Sequence, residues 1–261
     1  MDLQLQDKHV LITGGSKGIG LACAQAFLQE GARVSLVSRD PRHLSQACET
    51  LADARRVHSH AADLRDADAA LAALDAAEAT FGPVQVLVNS AGAARRTPAS
   101  ELTPQAWQDA MQAKYFSYIH MIDPCIKRMA QRGDGSIVNV IGNGGKVASP
   151  IHLPGGAANA ALMLVSAGLA AAYGPQGVRV NAVNPGLTLT QRLQEGMAAD
   201  ARLQGIDTEE ALRRAVARVP LGRLAEPEEI ARTVVFLASE AASYVTGVCM
   251  SMDGAATPIV V

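Results

Sequence analysis

Apolar positions along the chain fall into two alternating patterns. Short β-branched runs predict strands over 8–13, 33–38, 55–60, 84–89, 135–141, 178–184 and 247–252, and Ala-rich helical stretches fill most of the gaps. Strands that alternate with helices are joined in parallel by helical crossovers. Near-continuous apolar runs such as Val84-Gln85-Val86-Leu87-Val88 suit a sheet covered on both faces. Two helix starts are explicit. Thr103-Pro104 sets a capping hydroxyl before a proline, and Glu226-Pro227-Glu228-Glu229 sets proline and acids in a first turn. No linker, repeat or low-complexity stretch interrupts the pattern, so one domain over residues 1–261 is expected.

Composition narrows the class. The chain has 261 residues, of which 49 % are apolar and 18 % charged, a globular rather than a disordered balance. A net charge of −2 gives no electrostatic case for nucleic acid or an anionic membrane. The opening Met1-Asp2-Leu3-Gln4-Leu5-Gln6-Asp7 lacks a basic region and a long apolar core, so no signal peptide is expected. No apolar run is read as reaching the ~20 residues of a membrane span. Cys23, Cys48, Cys125 and Cys249 have no metal-like spacing and read as buried thiols in a reducing compartment, with the cytoplasm as the default. No metal site is expected.

The chemistry centres on Thr13-Gly14-Gly15-Ser16-Lys17-Gly18-Ile19-Gly20. It lies between the apolar run His9-Val10-Leu11-Ile12 and the helical stretch Leu21 to Leu28. A glycine-rich turn between strand and helix lets backbone approach a ligand, and the helix start offers free N–H groups and a positive dipole end to phosphate. That order is the context a dinucleotide site requires. At the end of the second strand, Arg39 stands where an acid would bind the ribose of NAD, and Lys17 lies in the glycine turn. Two cations at one ribose phosphate favour NADP(H) over NAD(H), with the adjacent Asp40 counting against it. Ala62-Asp63-Leu64, Asn89-Ser90-Ala91-Gly92 and Asn184-Pro185-Gly186-Leu187-Thr188-Leu189-Thr190 also lie just past C-terminal strand ends, where open α/β sheets bind ligands.

With these motifs in hand, the sequence resembles the short-chain dehydrogenase/reductase family over nearly its whole length. The resemblance rests on Thr13-Gly14-x-x-x-Gly18-x-Gly20, Asp63, Asn89-x-Ala91-Gly92, Trp107, Gly135-Ser136-Ile137-Val138-Asn139, Val178-Arg179-Val180-Asn181, Asn184-Pro185-Gly186, Thr190, Thr246-Gly247 and Asp253-Gly254. It implies a three-layer, doubly wound Rossmann-type α/β fold with about seven parallel strands and a bound NAD(P). It implies Asp63 and Leu64 near the adenine, Asn89, Ala91 and Gly92 beside the ribose, and Pro185, Gly186, Thr188 and Thr190 against the nicotinamide. A variable lid around 187–220 and a homotetramer or homodimer are implied too, with the small-residue helix from Ala157 to Ala172 as a packing surface.

The family's usual Asn, Ser, Tyr and Lys are missing from the matching positions. The Asn slot, seven residues after Trp107, holds Lys114, and the Ser slot after Ile137-Val138-Asn139-Val140-Ile141 holds Gly142. The Tyr slot holds Gly155, thirteen residues further on, and the Lys slot four later holds Asn159, whose amide can still bond a ribose hydroxyl. Hydride transfer to a carbonyl needs a group that protonates or stabilises the developing alkoxide. Lys114 is one substitute, because desolvation would lower its pKa, and Tyr118 lies one helical turn later on the same face. His152, three residues before the Tyr slot, is another, and Lys146 shares its loop. The glycines of Gly142-Asn143-Gly144-Gly145 suggest a roomier cleft. Arg192, Arg202, Arg213, Arg214 and Arg218 on the lid suit an acidic substrate, although Glu209 and Glu210 on the same segment suggest a solvated helix. Three functions are compatible with this reading: an NADP(H)-dependent oxidoreductase with substitute groups, a non-redox lyase, isomerase or dehydratase, and a non-catalytic NADP(H) sensor.

Overall fold

The computed structural model describes residues 2–92 and 96–259. Its strands are β1 (His9–Thr13), β2 (Arg33–Ser38), β3 (Val57–Ala61), β4 (Val86–Asn89), β5 (Gly135–Val140), β6 (Val178–Pro185) and β7 (Cys249–Met252). The helices are α1 (Gly18–Gln29), α2 (Pro41–Leu51), α3 (Ala67–Phe81), α4 (Pro104–Ala110), α5 (Ser117–Arg132), α6 (Leu153–Tyr173), α7 (Gln191–Gln204), α8 (Thr208–Ala217) and α9 (Pro227–Ala238). All seven strands form one parallel sheet in the order β3-β2-β1-β4-β5-β6-β7. Strands are added outward from β1 in one direction and from β4 in the other, which makes the gap between them the switch point where such sheets open a crevice at their C-terminal edge.

Alternation along the strands fills both faces. Val10 and Ile12 of β1 and Val34 and Leu36 of β2 pack with Phe27 of α1, Leu44 of α2 and Val234 of α9. Leu11, Val37, Leu87 and Ile137 point the other way, against Leu74 of α3, Ile122 of α5 and Leu162 of α6. The result is the expected three-layer, doubly wound fold. A separate small cluster joins Leu193 and Met197 of α7 to Val219, Leu224 and Leu212.

Local chemistry explains the boundaries. Both expected caps form: the Thr103 hydroxyl accepts from Ala106 N–H, and Glu226 closes a capping box with Glu229. The third strand starts at Val57 rather than 55. Its first two expected residues are held in a turn, where Arg56 donates from its backbone N–H and Nε to Asp53. The last strand starts at Cys249 rather than 247 because Gly247 takes φ +79°.

One expectation is corrected. The helical run Leu153–Gln176 spans 24 residues and is long and apolar enough to cross a membrane. Small Ala and Gly residues make this uncharged run easy to overlook. Ala158, Leu162, Ser166 and Ala170, spaced by four, are buried along one side of it, whereas Leu164 on the opposite side is 77 % exposed.

Candidate active site

The glycine turn fits a dinucleotide in its backbone. A methyl group on Gly14 would lie 2.8 Å from the Ala91 backbone, and one on Gly20 would lie 2.3 Å from the Gly14 carbonyl oxygen. Gly18 has φ +53°, and a methyl there would approach Thr190 Cγ2 at 3.3 Å. The turn therefore packs between β4 and the start of α7. No side chain caps α1 at Lys17, so its first N–H groups, including those of Gly18, Ile19 and Gly20, remain open to an anion. The Ser16 hydroxyl donates to the Ser38 hydroxyl at 3.0 Å and ties the turn to the end of β2.

Arg39 follows β2 and is exposed, as is Lys17. The neighbouring Asp40 is committed elsewhere. It caps α2 through the Arg42 N–H at 2.9 Å and pairs with the Arg42 and His43 side chains. Asp63 is held by Arg65, whose Nε lies 3.0 Å from both carboxylate oxygens. That contact, with Arg39 nearby, keeps the Asp63 carboxyl below its usual range. Leu64 is buried, and its carbonyl oxygen lies 2.9 Å from His120 Nδ1.

Asn89 is fully buried and acts inside the sheet. Its Oδ1 accepts from the Thr13 hydroxyl at 3.2 Å, and its Nδ2 donates to Asn139, which in turn donates to Ser166 on α6. The network fixes β1, β4, β5 and α6 relative to one another and leaves Ala91 and Gly92 at the crevice. Gly92 has φ +93°, and a methyl there would lie 2.3 Å from the Ala113 carbonyl oxygen. On the far side, a methyl on Gly186 would meet Asp253 Cβ at 2.8 Å, which holds Pro185 and Gly186 against the end of the chain. Thr188 is buried, and Thr190 caps α7 through the Leu193 N–H.

Lys114 is the unusual group. Residues Met111–Phe116 form a π-helical turn between α4 and α5. Such single turns commonly mark functional sites. Lys114 is only 6 % exposed. Its Nζ donates to the Tyr118 hydroxyl at 2.7 Å and to the Val140 carbonyl oxygen at 3.1 Å, while the Tyr118 hydroxyl donates to the same carbonyl at 2.6 Å. Burial, reinforced by the charge of Arg192, pulls the Lys114 ammonium down to about 7. Tyr118 is fully buried and its phenol is pushed up by desolvation. An ammonium has three donors, and two are spent on Tyr118 and Val140. The third has no hydrogen-bond partner among the described residues. In the neutral amine that position becomes a lone pair.

Two glycines next to this part of the cleft are needed for backbone packing. A methyl on Gly145 would lie 2.7 Å from the Ala160 backbone nitrogen, and one on Gly156 would lie 2.7 Å from the Gly144 carbonyl oxygen. The missing side chains let the loop and the start of α6 touch backbone to backbone. Gly142 has φ +126°, with the Asn159 amide nitrogen 3.5 Å from where its Cβ would be. Gly155 and Asn159 are both buried in α6. Lys146 is drawn away to the Cys249 carbonyl and the Ser251 hydroxyl of β7.

His152 precedes α6, with its Nδ1 buried and unpartnered among the described residues. Desolvation, then the charges of Arg96, Arg192 and Lys114, lower its pKa to about 4. The lowered value favours the neutral ring at physiological pH. Of the lid arginines, Arg192 reaches the crevice and donates to the Gly92 carbonyl at 3.0 Å. Arg213 and Arg214 pair with Glu210. Arg96 was missed by sequence reasoning. Its one signal was its place just beyond the fourth strand's C-terminal end.

A parallel α/β sheet with a glycine turn and an uncapped helix start at its switch point is the architecture of Rossmann-type proteins. Residues 14–257 match the protein family described as Enoyl-(Acyl carrier protein) reductase. The D-threitol dehydrogenase of Mycolicibacterium smegmatis is 36 % identical over 260 residues, covering 98 % of this chain and 95 % of that enzyme. The 2-(S)-hydroxypropyl-CoM dehydrogenase 3 of Xanthobacter autotrophicus is 36 % identical over 261 residues, covering 99 % and 100 %. Among solved structures, L-sorbose reductase from Gluconobacter frateurii, complexed with NADPH and L-sorbose, superposes with TM-score 0.92 at 30 % identity over 100 % of both chains. The chain belongs to the short-chain dehydrogenase/reductase family, a family of oxidoreductases.

Proposed function

We propose that the protein is an NADP(H)-dependent oxidoreductase that interconverts a carbonyl and an alcohol with Lys114, rather than a tyrosine, as the proton-transferring group. The observation that carries this reading is the buried Lys114 ammonium, held by Tyr118 and Val140 with one donor left and a pKa of about 7. A catalytic acid works best with a pKa near the working pH. When bound, the nicotinamide nucleotide supplies or accepts the hydride at the substrate carbon. The chain's own residues do the rest. Gly14, Ser16, Lys17, Gly18, Ile19 and Gly20 cradle the pyrophosphate with backbone N–H groups and the start of α1. Arg39 and Lys17 take the ribose phosphate, a role supported by the diversion of Asp40 to capping α2. Asp63 and Leu64 border the adenine, and Ala91, Gly92 and the Asn159 amide border the nicotinamide ribose. Pro185, Gly186, Thr188 and Thr190 wall the ring.

In reduction, the carbonyl oxygen accepts the third Nζ proton of Lys114 as the carbon gains hydride. In oxidation, the neutral amine takes the alcohol proton. Tyr118 is a positioning residue, too buried to touch substrate. The absence of the usual four residues is part of this proposal, as is one domain carrying α7 and α8 as its lid. NADPH in solved relatives supports the nucleotide choice. The exposed Leu164 face of α6 supports self-association into a dimer or tetramer, which light scattering reads directly.

The test is Lys114→Met assayed with NADPH against a panel of polyols, hydroxy acids and their oxo forms. The panel is suggested by relatives named for threitol, gluconate and galactitol. The proposal expects turnover by the parent chain, its loss in the variant, and NADPH binding in both. Binding without turnover in the parent chain returns the protein to the sensor or non-redox readings.

A further inference from the structure

The crevice mouth gathers cations from three separate segments. Thr97 N–H donates to the Ile151 carbonyl at 2.9 Å, which sets the loop carrying Arg96 beside the loop carrying His152. On the other side, Arg192, Gly196 and Asp200 share one face of α7 at four-residue spacing. A methyl on Gly196 would stand 3.3 Å from Arg96 Cζ, 3.4 Å from Nε and 3.6 Å from Nη1. These near-equal distances mean that the guanidinium lies flat on Gly196. Its Nη1 meets Asp200 Oδ2 at 3.4 Å, the one hydrogen bond found for its five donors among the described residues. Arg192 reaches from the previous turn of α7 to Gly92. Lys114 is near enough to His152 for their charges to interact, and His152 Nδ1 is buried without a partner among the described residues.

We infer that this cluster is a subsite for an oxyanion on the substrate, with Arg96 as its principal donor and the His152 ring beside it. The inference rests on the carbonyl–alcohol reading above and gives that substrate a class: a hydroxy or oxo acid rather than a neutral polyol. The Arg96 guanidinium and the Lys114 ammonium favour the entry of an anion, because an opposite charge within reach stabilises both. The charges acting on His152 are Arg96, Arg192 and Lys114, cations all. The Arg96 fork suits a planar carboxylate, which can take two parallel N–H bonds. Gly196 is the residue that gives the guanidinium its place. The alternative role for Arg96, a latch from its loop to Asp200 on α7, needs no ligand and predicts no charge preference.

The experiment uses the full chain saturated with NADP+ and a panel of carboxylates from glycolate to cyclohexanecarboxylate, each beside its neutral carboxamide. Binding is read by calorimetry, and turnover is read separately with the matching oxo acids and oxo amides. The inference expects at least one carboxylate to bind about tenfold or more tighter than its amide. That ratio should fall to about one in Arg96→Gln and be largely kept in Arg96→Lys, with NADP+ affinity unchanged in both. Gly196→Val, which displaces the guanidinium without removing it, should act like Arg96→Gln. Sulfonate and phosphate analogues of the tightest carboxylate separate a planar-fork site from a general anion site. Equal affinity for every acid and its amide, or a preference that survives Arg96→Gln, overturns the inference. Charge-selective binding without turnover would keep the subsite and defeat the hydride-transfer reading. Turnover without charge preference would do the reverse.

Discussion

Lys114 Nζ donates to the Tyr118 hydroxyl at 2.7 Å, and both groups end on one acceptor, the carbonyl oxygen of Val140. Two ionisable side chains four residues apart thus form a buried pair on the helix that faces α6. The equivalent positions of α6 itself, Gly155 and Asn159, carry no ionisable group. The pair differs from a simple ion pair in its consequences. Tyr118 is neutral and supplies only a lone pair to the amine. The hydrogen bonds supply no counter-charge, so desolvation dominates and the ammonium pKa falls to about 7. The Nζ also lies 4.4 Å from the centroid of the Tyr118 ring.

Replacing Lys114 by methionine keeps the packing and removes the proton. Turnover should fall by about 10²–10⁴-fold, the usual worth of one general acid or base. NADPH affinity, read by nicotinamide fluorescence, should change little because the cradle lies at Gly14 to Gly20. Tyr118→Phe should lower turnover by about tenfold, through loss of one hydrogen bond to a charged group. A Lys114→Met variant that retains parent turnover would remove this residue from the chemistry.

The pH profile has a defined sign. Reduction consumes the ammonium form of Lys114, so kcat/KM for reduction should be level below about 7 and decline above it. Oxidation needs the amine and should rise over the same interval. His152, lowered to about 4, should contribute no limb near neutrality. If an anionic substrate occupies the cluster around Arg96, its charge raises the Lys114 pKa in the complex. The break in kcat should then fall at higher pH than the break in kcat/KM.

Stability should report the same group independently of any substrate. Lys114 has a folded pKa of about 7 against 10.5 when exposed. Between those values the unfolded chain binds a proton that the folded chain does not. Stability is therefore lost as pH falls from about 10.5 to about 7, and the loss levels off below. At full expression the difference is about 5 kcal/mol. Lys114→Met, which cannot titrate, should be more stable than the parent at pH 7, with the gap closing towards pH 10. Denaturant midpoints at a series of pH values measure it. Parallel curves for the two proteins would mean that Lys114 keeps an ordinary pKa.

Much of this architecture was legible in the sequence because its signals are local. The runs around Val10, Val34 and Val86 are buried on both sides, so periodicity and turn residues located them within two residues. The glycine turn was legible for the same reason, since Gly14 and Gly20 are needed where backbone meets backbone. The helical spacing of Lys114 and Tyr118 brought those two together on paper and in the fold. What sequence could not supply was the packing of distant segments. The role of Gly142 to Gly145 depends on their contact with α6. Arg96 becomes notable only through Gly196, a hundred residues away on α7. Asn89 matched a motif, yet its amide is consumed by Thr13 and Asn139 inside the sheet.

Nucleotide preference should follow Arg39. Arg39→Asp removes a cation from the ribose phosphate and supplies an acceptor for ribose hydroxyls. NADPH affinity should fall by about tenfold to a hundredfold, the worth of one charged hydrogen bond, and NADH should gain. Lys17→Ala should weaken NADPH less. Unchanged preference after Arg39→Asp would place the ribose phosphate elsewhere.

Gly142→Ser, Gly155→Tyr and Asn159→Lys together should not improve turnover. Gly142 has φ +126°, a region that costs a residue with a side chain about 1–3 kcal/mol, so Gly142→Ser is strained before its hydroxyl can act. Gly145 and Gly156 hold the same loop against α6 at distances that leave no room for the loop to retreat. Asn159→Lys would set a further cation beside a cluster that already lowers both His152 and Lys114. The combined variant Gly142→Ser, Gly155→Tyr, Asn159→Lys, with Lys114→Asn, should therefore melt below the parent and turn over more slowly. Melting temperature and NADPH oxidation on the parent's best substrate measure both effects. A stable variant with faster turnover would mean that the loop is a neutral scaffold. Loss of both places the loop, α6 and Lys114 in one interdependent unit.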